Sequence, residues 1–149
     1  MKFFQIEEPD GSPGDPDAPG VAIGIDAGGD LAEIAFAVGG NAAVLTDREG
    51  FERALPVPGP DAPLADWQAL FEGARLRAER ALARPVTHAV LLFAAALDPA
   101  LAAELLRASE AAGLELLRIV TAGDLPAGEP PAEAAAILAE DMAPRPEGP

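Results

Sequence analysis

Residues 21 to 46, VAIGIDAGGDLAEIAFAVGGNAAVLT, decide the fold of this chain. Val21 to Asp26 alternates apolar and small residues, which predicts a strand. Leu31 to Val38 alternates in the same way and predicts a second strand, and Ala42 to Thr46 predicts a short third one. Gly39-Gly40-Asn41 between the last two is typical of a tight turn, since Gly and Asn tolerate positive φ. Three strands joined so closely predict an antiparallel meander.

Helices and strands alternate after the meander. Apolar residues recur every three or four positions over residues 64 to 84, which predicts a helix with Trp67 in the core. Val86 to Phe93 is a continuous apolar run, as expected of a strand that is buried on both faces. The remaining predicted elements are a helix over Pro99 to Ala112 capped by Asp98, a strand over Leu114 to Val120, and a helix over Pro131 to Met142 with Ala134, Ile137, Leu138 and Met142 on its apolar side.

The element order βββαβαβα is that of a ribonuclease-H-like α/β fold. It predicts a single domain over residues 21–142, with a mixed five-stranded sheet and helices on both faces. The chain of 149 residues is long enough for one core of this kind. Residues 1–20 and 143–149 are rich in Pro, Gly and acidic residues and are expected to form a flexible leader and tail. Residues 56–63 are a Pro-rich connection within the domain.

Composition and charge exclude several classes of function. The chain has no Cys, which removes disulfides and thiolate metal sites. Its net charge of −15 opposes binding to the phosphates of duplex nucleic acid. No apolar run is long enough to span a membrane, and Met1 to Glu8 lacks the features of a secretory signal. We therefore expect a cytoplasmic protein that binds neither duplex nucleic acid nor membranes.

The turn GIDAGGD, residues 24 to 30, is the first candidate for chemistry. A strand ends at Asp26, whose carboxylate could hold hydrated Mg²⁺, while the N–H groups of the turn could cradle a phosphate. The alternative interpretation is a tight hairpin in which Gly28 and Gly29 supply positive φ.

Five segments together resemble a known family. VAIGIDAGGD at 21–30 and AVGGNAAVLTDREG at 37–50 resemble the opening of the DnaK-type seventy-kilodalton heat-shock chaperones, which belong to the actin-like ATPase superfamily. PVTHAVLLFAAALD at 85–98, AAGLELLRIV at 111–120 and EPPAEAAAILA at 129–139 are similar to later segments of the same nucleotide-binding domain, in the same order. The resemblance covers only the first, N-terminal half of that domain. It implies a ribonuclease-H-like fold, with the family's long insertion replaced by the Pro-rich connection.

The resemblance also implies a degenerate site. Carried over residue by residue, it assigns binding of ATP or ADP with Mg²⁺ to Gly24, Asp26, Gly28, Gly29 and Glu129, with Asp26 holding the metal through water. The family's two Thr after D-x-G correspond to Gly29 and Asp30, and its catalytic Lys has no counterpart, because Lys2 is the only Lys of this chain. Phosphoryl transfer needs positioning and charge neutralisation, so we expect a relative without ATPase activity.

The sequence is compatible with three functions. The first is protein–protein contact, as a chaperone accessory or by holding a client or partner. Its candidate interfaces are the Ala94–Leu97 loop and the Gly24–Gly29 turn, which the missing second half would otherwise cover. The second is a nucleotide-binding module whose cleft is completed by dimerisation. The third is a metal-dependent nuclease, which would gather carboxylates. Its candidate ligands are Asp26, Asp98, Glu133, Glu140 and Asp141.

The first predicted helix also carries a run of basic residues. Arg77, Arg80 and Arg84 share one face, and Arg75 precedes them. They are interpreted either as partners of Glu72 and Glu79 at helical spacing or as a dock for an acidic protein surface.

Overall fold

A mixed five-stranded sheet organises the computed structural model, which describes residues 21–45, 55–59 and 61–143. Its strands are β1 (Val21–Asp26), β2 (Glu33–Val38), β3 (Asn41–Val44), β4 (Val86–Phe93) and β5 (Glu115–Thr121), and its helices are α1 (Leu64–Leu82), α2 (Pro99–Ala111) and α3 (Pro131–Met142). The sheet order is β3-β2-β1-β4-β5, with β2 antiparallel to β1 and β3, and with β1, β4 and β5 parallel. This topology confirms the predicted fold class. The predicted leader, and the predicted tail beyond Ala143, lie outside the described residues.

Helices cover both faces of the sheet, as the sequence predicts. Ile23 and Ile25 of β1 face α1 and α2, where they pack in one cluster with Trp67 and Phe71. Ala22 of β1 faces the other way and packs against Ala135 and Ala139 of α3. The alternation along β1 therefore divides the core between the two helical layers.

Most predicted bounds are correct to within two residues. The exact matches are β1, β4 and α3, while β5 begins and ends one residue later than predicted. The first helix ends at Leu82 because Ala83 adopts a left-handed conformation, with φ of 57°. The predicted third strand, Ala42 to Thr46, is instead Asn41–Val44, and Thr46 lies outside the described residues.

The start of β2 differs for a physical reason. Leu31 was predicted to begin this strand, but β2 begins at Glu33, and Leu31 forms an isolated antiparallel bridge with Pro56. The N–H of Ala32 donates to the Leu55 oxygen at 2.8 Å, and the N–H of Val57 donates to the Asp30 oxygen at 2.9 Å. The start of the Pro-rich connection therefore lies along the same edge of the sheet as β3. Leu31 remains 55% exposed there.

The buried side of α3 is built from alanines. Ala132, Ala134, Ala135, Ala136 and Ala139 are all buried. The sequence pattern predicted Ala134, Ile137, Leu138 and Met142 on this side. Ala134 is buried as predicted, but Ile137 and Leu138 are only partly buried, and Met142 is 39% exposed. The physical reason is the close approach of α3 to the sheet, because a helix backbone that nearly touches a strand has room only for methyl groups.

Candidate functional site

The candidate turn lies at the end of the sheet where the parallel strands finish, which we call the carboxyl end. Asp26 is the last residue of β1 and lies opposite Glu33 of β2 and Leu92 of β4. Its Oδ1 accepts a hydrogen bond of 2.9 Å from the N–H of Gly28. The N–H of Ala27 donates to the Leu92 oxygen at 2.7 Å, so the turn is held against β4.

The predicted glycines of this site have different roles. Gly24 lies under α3, and a Cβ there would overlap the Ala136 nitrogen and lie 2.9 Å from the Ala132 oxygen. It is therefore a packing glycine, with no open space for a ligand on its side-chain side. Gly28 and Gly29 are exposed, and Gly29 has nothing within 4 Å of its missing Cβ.

The hairpin interpretation of the turn is wrong in one respect. Neither Gly28 nor Gly29 has positive φ, which occurs instead at Gly39 and Gly40 in the β2–β3 turn, with φ of 61° and 85°. The prediction for the Gly39-Gly40-Asn41 turn is thus confirmed. Gly28 is favoured by close contact instead, because a Cβ there would lie 3.1 Å from Asp26 Oδ1.

Glu129 lies near the same end of the molecule. It is exposed in the loop just before α3, whose first turn packs over Gly24. The structure therefore brings Asp26, Gly28, Gly29 and Glu129 to one end of the sheet. Gly24 lies two residues before Asp26 in β1 and is buried under α3.

A short 3₁₀ turn, Ala122–Asp124, follows β5 at this end. Asp124 Oδ2 accepts hydrogen bonds from the Thr121 N–H at 2.9 Å and from the Thr121 hydroxyl at 3.1 Å. These two bonds, with a smaller contribution from the charge of Arg118, hold the pKa of Asp124 below its ordinary value of 3.8. The sequence reasoning did not identify this local cap.

The carboxylates proposed for a nuclease do not converge. Asp98 caps α2 by accepting from the Leu101 N–H at 2.8 Å. Glu140 is at the opposite end of the sheet, where its two carboxylate oxygens accept from the N–H groups of Gly39 at 2.6 Å and Gly40 at 3.0 Å. Over the ranges 21–45, 55–59 and 61–143, no three His, Cys, Asp or Glu side chains form a group that could hold a metal ion.

The basic residues of α1 include one with a structural role. Arg75 Nε donates to the Ala112 oxygen at the end of α2, at 2.8 Å, and its guanidinium pairs with Glu79 at 3.1 Å. Glu79 in turn accepts from the N–H of Val86 at 2.9 Å. Arg75 and Glu79 therefore join α1 to the end of α2 and the start of β4, which supports the pairing interpretation at these two positions.

A groove that the sequence reasoning missed lies between the Pro-rich connection and the start of α1. We call it the connection groove, and its volume is about 320 Å³. Its lining is apolar except for one carboxylate, and consists of Leu55, Pro56, Pro58, Asp66, Ala69 and Leu70.

The position of Leu55 shapes this groove. A Cβ on Gly73 of α1 would lie 2.7 Å from Leu55 Cδ2, so the absence of a side chain at Gly73 makes room for Leu55. The sequence signal that could have indicated the groove is the pair of a Pro-rich connection and a glycine inside a long helix. That glycine is costly for a helix, by about 1 kcal/mol relative to Ala, unless something packs there.

The two candidate interfaces from the sequence are only partly accessible. Ala94, Ala95 and Ala96 are exposed, and Leu97 is half-buried. In the Gly24–Gly29 turn only the last two residues are exposed. In the part of the chain that the structure describes, no helix has both the length and the apolar character to cross a membrane.

No protein-family model matches this chain, and no curated protein matches it significantly.

Proposed function

We propose that this chain is a protein-binding domain, similar to the first half of a DnaK-type nucleotide-binding domain but acting through contact with another protein rather than by ATP hydrolysis. The connection groove is the observation that carries this proposal. It has the volume of a site for one or two side chains and a largely apolar lining. Accessible apolar surface on a small domain often marks an interaction site.

The turn that corresponds to the family's phosphate site lacks the family's hydroxyl groups, which also supports a role in protein binding. Asp26 Oδ1 already accepts from Gly28, and the positions of the family's two Thr hydroxyls are occupied by Gly29 and Asp30. A carboxylate at Asp30 would repel a phosphate, by roughly 1 to 4 kcal/mol at a separation of ~4 Å.

The test is binding of an apolar peptide with the groove open or filled. We expect the 149-residue chain to bind members of an array of apolar peptides, and Ala69→Trp to weaken that binding by at least about tenfold because the indole fills the groove. Ala81→Trp is the matched control, since Ala81 is also exposed on α1 but does not line the groove. Equal binding by both variants would refute a role for the groove.

A second candidate, a nucleotide-binding module completed by dimerisation, is favoured by the position of the Asp26 turn. The connection from β1 leads to β2 and that from β4 leads to β5, on opposite sides, so the turn lies at the point where the strand order reverses. Open α/β sheets bind ligands at such points. Gly28 and Gly29 are exposed there.

Thermal unfolding with millimolar ATP or ADP and Mg²⁺ tests this candidate. A ligand at 100 times its dissociation constant adds about 2.7 kcal/mol to the free energy of unfolding. The candidate predicts a rise in Tm of several degrees that is lost in Asp26→Asn and kept in Asp61→Asn. An unchanged Tm in the original protein contradicts nucleotide binding at these concentrations.

A further inference from the structure

The rim of the connection groove is acidic. Asp66 lines the groove itself. Asp30 is adjacent, because its backbone oxygen accepts from the N–H of Val57, which stands between the lining residues Pro56 and Pro58. Asp61 follows in the same connection, and all three aspartates are exposed. An apolar floor is thus bordered by the carboxylate of Asp66, with Asp30 and Asp61 in the segments next to it.

The whole carboxyl end of the domain shares this charge. The topology places there the ends of β1, β4 and β5 and the beginnings of all three helices. The acidic residues at this end are Asp26, Asp30, Glu33, Asp61, Asp66, Asp98, Asp124, Glu129 and Glu133. Fixed charges of one sign around a cleft raise the local concentration of oppositely charged ligands.

The described arginines lie elsewhere. Arg75, Arg77 and Arg80 are in the second half of α1, and Arg84 follows this helix just before β4 begins. Arg107 is in the last third of α2. Arg118 is the exception, since it lies midway along β5 and its charge acts on Asp124. However, β5 is at the edge of the sheet opposite to the one along which the Pro-rich connection runs. Residues 46–54, which precede the groove, contain two arginines against three acidic residues and add no net positive charge.

We infer that the occupant of the connection groove is a cationic apolar segment of a partner protein, in which an aliphatic or aromatic side chain enters the groove and flanking Lys or Arg residues face Asp30, Asp61 and Asp66. This inference rests on the proposed function, namely that the groove binds a segment of another protein. Burial of the apolar side chain supplies affinity, at about 25 cal/mol per Å². The rim charges select its flanks, since charges within a Debye length of about 8 Å still interact at physiological salt.

Charge also argues against a second copy of this chain in the groove. Each copy has a net charge of −15, and the acidic rim of the groove would lie within the interface between the two copies. Self-association through this face would bring like charges together, which is costly at an interface.

The experiment compares three labelled peptides by fluorescence anisotropy with the full chain. The cationic probe is Lys-Leu-Phe-Lys-Leu-Leu-Lys, and its two counterparts carry Gln or Glu in place of Lys. Exposed ion pairs contribute about 0.2–1 kcal/mol each, so we expect the cationic probe to bind roughly tenfold more tightly than the Gln probe. We expect no detectable binding of the Glu probe. We also expect the cationic probe to bind several-fold more weakly when NaCl is raised from about 50 to about 300 mM, because the added salt shortens the Debye length and screens the rim charges.

Two variants and one control locate the interaction. Asp66→Asn is expected to weaken the cationic probe by about two- to fivefold and to leave the Gln probe unchanged, as expected for loss of one exposed pair. Glu110→Gln, on the exposed surface of α2, is the matched charge control and should change neither affinity. Ala69→Trp should weaken both probes.

The outcomes separate the two claims. If the Gln and Lys probes bind equally and both are lost in Ala69→Trp, the charge inference fails and the proposed function survives. If no probe binds in a way that depends on Ala69, the proposed function fails, and the inference fails with it. If Phe3→Ser combined with Phe4→Ser raises the affinity of the cationic probe more than about tenfold, the chain's own apolar N-terminal residues occupy the groove, and the inference of a partner is overturned.

Discussion

Gly24 is the residue at which one added methyl group should be most disruptive. Its Cβ would lie 2.8 Å from the Ala135 carbonyl carbon and 2.9 Å from the Ala132 oxygen, which are backbone atoms of α3. Because a helix backbone cannot rotate away, α3 must move off the sheet. We expect Gly24→Ala to lower the free energy of unfolding by about 2–3 kcal/mol, measured by urea denaturation.

Gly29 supplies the control within the same candidate site. It has open space at its Cβ and no positive φ. Gly29→Ala should therefore change stability by less than about 0.5 kcal/mol. Equal losses in the two variants would contradict the packing role of Gly24.

Asp124 provides a pH-dependent prediction at the scale of a single carboxylate. Its pKa in the folded protein lies below the ordinary value of 3.8, because Thr121 donates two hydrogen bonds to the ionised form. The folded state therefore binds this proton less readily than the unfolded state, so the stabilisation is present above the unfolded pKa and is lost as the pH falls through the folded pKa.

The measurement is an NMR titration of the Asp124 carboxyl carbon. We expect its midpoint below 3.8 in the original protein. In Thr121→Val, which keeps the backbone N–H but loses the hydroxyl donor, the midpoint should move up toward the ordinary value. A midpoint that does not change in this variant would show that the hydroxyl hydrogen bond has no effect.

At the scale of elements, Glu140 connects α3 to the β2–β3 turn. It bonds the N–H groups of both glycines of that turn, which precede it by about a hundred residues. Glu140→Gln leaves one carbonyl acceptor for two donors. Because bonds to charged groups contribute about 1.5–3 kcal/mol and this one is exposed, we expect a loss of about 1 kcal/mol.

Hydrogen exchange checks the location of this effect. Exchange at Gly39 and Gly40 should accelerate in Glu140→Gln, while Glu110→Gln should leave it unchanged. If exchange accelerates uniformly along the chain instead, the loss would be one of global stability and not of this contact.

The elements that the sequence predicted well are those with a strong local signal. The apolar run of β4 and the Asp98-Pro99 start of α2 depend on neighbouring residues, and both are confirmed. The buried face of α3 was predicted only in part, because its contact with Gly24 favours small apolar side chains over large ones. That contact joins residues more than a hundred positions apart.

The sequence predicted the candidate site to a similar extent, because here too only the features with a local signal were found. The sequence located Asp26 at a strand end, because Val21 to Asp26 alternates so clearly. It could not locate the connection groove, since that surface forms only when Leu55 settles against Gly73 of a separate helix. Contacts between distant segments are set by packing and not by local periodicity.

At the scale of the whole molecule, the net charge of −15 should make stability depend on salt. Self-repulsion destabilises a compact state, and added salt screens it. We expect the Tm to rise by a few degrees between 10 and 300 mM NaCl, a range in which the Debye length falls from about 30 Å to below 10 Å. A falling Tm would mean that attractive ion pairs outweigh repulsion in this domain.

The position of α3 in the chain has a consequence for synthesis on the ribosome. This helix is the last element of the described residues, yet it covers β1 and β2, which are among the first, and caps the turn after β2. The alanine-lined face of the early meander therefore stays uncovered until translation has passed residue 142. Contacts of such long sequence separation slow folding. The nascent domain therefore has an extended period with one sheet face open, during which nearby chaperones or other nascent chains have access to that face.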